Sequence, residues 1–226
     1  TNMRGHLEIG GCSSVELVSK FGTPLYVIDE ETLKNTIDKY KAEFTKRYED
    51  HILLFASKAF SCEALYHILQ AEGLGIDVVS GGELYTALKT AFPAEKIYFH
   101  GNNKSKEELV LAITNNIGAI VVDNFYELEL VNSVAISKSK MANIMLRITP
   151  GIECHTHDYI KTGQVDSKFG FDLSQLPEAL ELVTRRYRNL SLQGFHAHIG
   201  SQIFDLDSYA DLAKIILELY AHYQKE

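Results

Sequence analysis

Between Ile52 and His196, short apolar β-rich runs alternate with helical patterns, and few architectures accept that rhythm. The runs fall at 52–57, 75–79, 96–99, 119–122, 144–148 and 190–196. Helical patterns follow at 62–66, 82–90, 105–115, 126–134 and 176–187, and an amphipathic stretch occupies 207–224. Strands alternating with helices argue for βαβ units and a parallel sheet. There are about six such units, whereas a closed barrel needs eight. The pattern suits either an open doubly wound sheet or a barrel cut short. No Gly-x-Gly-x-x-Gly follows the first strand, which counts against a dinucleotide site.

Upstream, the sequence predicts a short helix over Ser14–Lys20, a strand over Leu25–Ile28 and a helix from about Glu30 to Tyr48 capped by Asp29. The chain has 226 residues, enough for one large domain or one and a half. A net charge of -8 disfavours nucleic acid and anionic membrane as partners. The apolar runs are strand-sized, short of the roughly 20 residues that span a bilayer. No apolar segment marks the first residues as a secretory signal. Three scattered cysteines, Cys12, Cys62 and Cys154, fit reduced thiols and a cytoplasmic location better than a disulfide framework.

Nearly every strand ends in polar residues, and in parallel α/β folds those ends converge on one face where ligands bind. Lys58 closes the run Leu53–Ser57, with Ser61 as the expected cap of the next helix. A desolvated lysine there is a candidate Schiff-base nucleophile, although a surface lysine just past a strand end fits the position equally well. His196 and His198 share a face in extended chain and could be a metal pair, a ring stacked on a cofactor, or partly structural. Gly200-Ser201 offers N–H groups and a hydroxyl for a phosphate oxygen. Asp77 lies in an apolar strand and needs a partner. Glu83, in a first helical turn, complements a helix dipole or lines a site. Arg147 could grip a carboxylate or phosphate bidentately, or form a structural ion pair. The long polar gap between the fifth and sixth strands carries His155, His157, Asp158 and Lys168, which read as metal ligands or as a solvated loop.

Taken together and in order, several of these pieces resemble the fold-type III pyridoxal-phosphate amino-acid decarboxylases. They are Thr23-Pro24-Leu25-Tyr26-Val27, Ala56-Ser57-Lys58-Ala59, Asp77-Val78-Val79-Ser80-Gly81-Gly82-Glu83-Leu84, Gly101-Asn102-Asn103-Lys104, Ser167-Lys168-Phe169-Gly170 and His198-Ile199-Gly200-Ser201-Gln202. The resemblance implies an α/β fold, an incomplete TIM (β/α)8-type barrel of about six β/α units. It implies that residues 29–226 form the pyridoxal-phosphate barrel, truncated before closure, and that 1–28 belong with a C-terminal β-domain absent here. It also implies roles. Lys58 would carry pyridoxal 5'-phosphate covalently, His198 would stack on its ring, and Ser201 would bind its phosphate. Asp77 would support the site near His198 and Lys58, with Glu83 and Arg147 lining it; no metal is implied. The implied reaction is decarboxylation of a small amino acid, meso-2,6-diaminopimelate giving L-lysine and CO2, in a cytoplasmic homodimer. Arginine, ornithine or carboxynorspermidine are the alternative substrates within the group. A non-catalytic pyridoxal-phosphate barrel and a metal-dependent barrel hydrolase are the rival classes. The family's last strands, glycine-rich phosphate loop and pyridine-pairing glutamate have no counterpart here, so residues 1–226 alone are expected to be inactive.

Overall fold

The computed structural model describes residues 1, 3–151, 169–204 and 206–224. Cys154, His155, His157, Asp158 and Lys168 lie outside the described residues. By compactness the chain divides into Thr1–Leu53 with Ala71–Leu74, and Leu54–Gln70 with Gly75–Glu226.

In the first unit, β1 (Glu8–Ile9) and β2 (Cys12–Ser13) form an antiparallel pair that leads into α1 (Ser14–Phe21) and α2 (Glu30–Thr45). Asp29 caps α2 as expected: its carboxylate accepts the Thr32 N–H at 3.1 Å and the Thr32 hydroxyl at 2.7 Å. The strand expected over Leu25–Ile28 does not form. All four residues are exposed, and among the described residues no strand pairs with them. β-propensity makes a strand only where a neighbour completes the hydrogen-bond ladder.

From Leu54 onward the expected alternation is realised. The elements are β3 (Leu54–Ala56), α3 (Glu63–Ala71), β4 (Gly75–Val78), α4 (Gly81–Lys89), β5 (Ile97–Phe99), α5 (Lys106–Thr114), β6 (Ala119–Val122) and α6 (Phe125–Ser137). They continue as β7 (Ala142–Thr149), β8 (Phe171–Asp172), α7 (Leu176–Glu181), β9 (Leu190–Ala197) and α8 (Asp207–Tyr223). Strands β3, β4, β5, β6, β7 and β9 pair in that order, all parallel. A doubly wound sheet reverses its strand order at a switch point. Here each unit adds beside the previous one, so this is the arc of a barrel. Side chains between sheet and helices form the core: Ile76, Phe99, Ile144, Leu146, Leu84, Leu109 and Leu128 are fully buried. Each contributes about 1.5–3 kcal/mol by leaving water.

Three successive helices start with the same device. Ser80, Ser105 and Asn124 accept the N–H of Glu83, Glu108 and Glu127. Each glutamate turns back to accept a backbone N–H, from Val79, Ser105 and Asp123 respectively. These reciprocal caps stop each strand sharply and leave polar residues at its end. Ser61 is not the cap of α3. The first helical bond runs from Tyr66 N–H to the Cys62 carbonyl, and the Ser61 hydroxyl instead meets the Tyr66 hydroxyl at 2.9 Å.

Two strand irregularities were not expected from the pattern. Ile148 pairs with Ala197 of β9 on one side, so its pairing with Phe171 uses the other side, above the point where β6 ends. This places Phe169-Gly170 at the strand-end face. In β9, Leu192 sits opposite Ile144 and Gly194 opposite Met145, so Gln193 is an extra, bulged residue. The expected helix over 176–187 is α-helical only to Glu181. It continues as a π-turn over Leu182–Arg186.

Candidate active site

The strand ends gather a connected set of charges. Asp77, at β4, has Oδ2 at 3.7 Å from His100 Nδ1. His100 follows β5, and its Nε2 lies 3.3 Å from the Arg147 guanidinium of β7. The same Arg147 nitrogen donates to Asp123 Oδ1, after β6, at 3.3 Å. Asp123 Oδ1 also accepts from the Asn102 amide at 2.8 Å and from the Gly170 N–H at 3.1 Å. Acid and base thus alternate across four neighbouring strands, and Arg147 lies 5.0 Å from the Phe169 ring.

His196 is opposite Arg147 in the parallel register and shares its face. Its ring stands 4.6 Å from that of His100. Its Nδ1 is buried with no hydrogen-bond partner. Burial first, then the charges of His100 and Arg147, push its pKa down to about 3, so it is neutral. His198 is also lowered, first by burial and then by Lys58 and Arg147. The Gly200 N–H donates to His198 Nδ1 at 3.0 Å, so that nitrogen is the acceptor and the neutral ring carries its proton on Nε2.

Several expectations need correction. Lys58 is not desolvated. The chain leaves β3 after Ala56 in a single 3₁₀ turn, Ser57–Ala59, which breaks strand alternation, buries Ser57 and exposes Lys58. Asp77 is half-buried, and its near partner is His100 rather than His198. Glu83 does not join the set, because its carboxylate accepts the Val79 N–H at 2.7 Å as part of a cap. Arg147 is buried and bridges Asp123 and His100 through one nitrogen. Ser201 is exposed. Among the described residues, no group of three or more His, Cys, Asp or Glu is placed to hold a metal ion.

His100 and Asp123 were visible in the sequence only as polar strand ends. Their placement in the centre depends on the sequential strand order.

Of the strand-end cations Lys58, Lys104 and Arg147, only Lys58 makes no hydrogen bond or ion pair among the described residues. Yet its charge acts on His198. A barrel rim that leaves a primary amine free beside a neutral imidazole is suited to an enzyme that anchors a carbonyl cofactor on lysine. The sequence comparison narrows that class: the chain belongs to the pyridoxal-dependent decarboxylases, matching the family's pyridoxal binding domain over residues 31–226. It is 51% identical over 219 residues to a diaminopimelate decarboxylase of Bacillus methanolicus, covering 96% of this chain and 50% of that relative. The Bacillus subtilis (strain 168) diaminopimelate decarboxylase is 49% identical, with the same coverage. Among solved structures, diaminopimelate decarboxylase from M. jannaschii in co-complex with L-lysine superposes with a TM-score of 0.88 at 33% identity. That match covers 100% of this chain and 53% of that one. The chain therefore spans about half the length of the curated relatives it matches.

Proposed function

We propose that the natural gene product carrying this chain decarboxylates meso-2,6-diaminopimelate to L-lysine and CO2, with pyridoxal 5'-phosphate held on Lys58. The single observation that carries this reading is the exposed Lys58 amine, which makes no hydrogen bond or ion pair among the described residues and whose charge acts on His198. The names of the relatives support the substrate, as does the L-lysine bound to the M. jannaschii enzyme.

The residues present fit the cofactor. Lys58 offers a primary amine with no hydrogen bond or ion pair among the described residues, and Ser201 exposes a hydroxyl that could meet a phosphate oxygen. His198, kept neutral, presents a ring face without bringing a second charge beside Lys58. Asp77 and Arg147 act from behind it, Arg147 by its charge and Asp77 by steadying His100. Glu83 caps the start of α4 through the Val79 N–H. When bound, pyridoxal phosphate supplies an electron-withdrawing ring that accepts the electron pair left as CO2 departs.

We assign residues 1–28 to a further domain of the longer protein: the family match starts at residue 31, and Leu25–Ile28 is apolar and exposed. The family resemblance also carries a cytoplasmic homodimer. Among the described residues no helix is long and apolar enough to cross a membrane.

The test adds pyridoxal phosphate to the gene product and follows the absorption band of lysine-bound pyridoxal. CO2 release is then measured from diaminopimelate, arginine and ornithine. Wild type is expected to show the band and to release CO2 from diaminopimelate, and Lys58→Ala to show neither. No band in wild type ends the cofactor reading, and preference for arginine or ornithine moves the substrate. Residues 1–226 alone are expected to release no CO2.

A further inference from the structure

Lys104 and Glu127 form the most buried ion pair among the described residues, with Nζ and Oε1 2.6 Å apart and side chains 1% and 6% exposed. All three Lys104 protons are used. Besides Glu127 they reach the Gly101 carbonyl at 2.6 Å and the Val121 carbonyl at 2.7 Å. The second oxygen of Glu127 accepts the Asp123 N–H at 2.6 Å. The pair thus ties the turn after β5, the end of β6 and the start of α6 to one point.

Such a pair is a poor way to gain stability, because desolvating two ions offsets most of their attraction. Burial pushes Lys104 below the ordinary lysine range, and Glu127 pulls it back. What the pair does secure is geometry. Asp123, whose backbone Glu127 holds, is where Asn102, Arg147 and Gly170 meet. Arg147 in turn contacts His100 and bears on His198.

We infer that Lys104 is a positioning residue for the strand-end site: through Glu127 it fixes Asp123, and through Asp123 it fixes the Arg147 guanidinium. The link to cofactor binding rests on the pyridoxal reading above.

The experiment uses the full gene product and two readouts. The first, without cofactor, is the ¹⁵N signal of the Arg147 guanidinium, which burial and pairing should slow in exchange. The second is the affinity for pyridoxal phosphate. Lys104→Met is expected to lose the slow Arg147 signal and to weaken pyridoxal phosphate at least about tenfold, the scale of a small misplacement in a site. Asp123→Asn is expected to do the same, and the double variant to bind no more weakly than the weaker single variant. If Lys104→Met does not fold, Glu127→Gln takes its place in the cycle. An Arg147 signal that survives in Lys104→Met overturns the inference, as do affinity losses that multiply. A wild-type protein that shows no lysine-bound pyridoxal refutes the cofactor reading instead, and the Arg147 signal still decides the role of Lys104.

Discussion

The rings of His100 and His196 lie 4.6 Å apart with 53° between their planes. A proton on His196 would sit against His100, Arg147, His198 and Lys104, in a place already stripped of water. Folding therefore holds His196 neutral, and acid must oppose folding here.

The sign follows from the two states. Unfolded histidine titrates near 6.5, and folded His196 is lowered to about 3. The unfolded chain takes the proton first, so this residue's contribution is complete above pH 6.5 and is lost as pH falls toward 3. Between pH 7 and pH 5 the loss is about 2 kcal/mol. Urea unfolding of wild type and His196→Asn at both pH values should show a smaller acid loss in the variant by about that amount. Equal losses would mean that His196 is not held neutral by the fold.

Arg147→Met leaves Asp123 buried without its cation. Removing one member of a buried pair costs about 3–5 kcal/mol, and the same loss should appear in denaturant midpoints here. Arg147→Lys keeps the charge, but a compact ammonium does not reproduce a guanidinium's planar spread of donors. It should recover less than half of the difference.

Ser105→Ala removes one cap acceptor and should cost about 1 kcal/mol. Glu108→Ala should cost more, about 2 kcal/mol, because its carboxylate accepts two N–H groups, those of Ser105 and Gly81. Thermal or urea unfolding ranks the two, and a larger effect for Ser105→Ala contradicts the bonding described.

Gly118→Ala places a methyl group into the carbonyl oxygen of Glu95, on the turn before β5. Neither backbone can give way without disturbing the entry into β5 or β6, so a loss of about 1–3 kcal/mol is expected. Gly73→Ala has open space but a φ of +75°, so it reports backbone strain without a clash. Gly118→Ala should be the more damaging of the two in the same unfolding assay.

The barrel arc was legible because its signals are local: apolar runs of strand length, Asp29 and Ser105 as caps, and helices spaced between. Lys58 and His198 were singled out by the order of motifs. What escaped was set by distant partners. The exposure of Lys58 depends on a single turn after Ala56. The pairing of Asp77 with His100 depends on β4 and β5 being neighbours. The capping bond of Glu83 was not legible because a capping glutamate and a ligand-binding glutamate occupy the same place at the start of a helix. Leu25–Ile28 has strand composition, yet a ladder needs a second strand that the residue pattern does not specify.

Strand β9 carries one residue more than its ladder needs. Before Gln193, Leu190 and Leu192 lie opposite Ala142 and Ile144; after it, Gly194 and His196 lie opposite Met145 and Arg147. Even-numbered positions therefore change face partway along one strand. Deleting Gln193 would leave an unbroken ladder with Leu192 still opposite Ile144 and His196 still opposite Arg147. Deleting Phe195 would remove the bulge as well, with Gln193 then opposite Met145, Gly194 opposite Leu146 and His196 still opposite Arg147. The one residue this strand can spare thus lies anywhere between Leu192 and His196, and losing it keeps both of those side chains on their present faces.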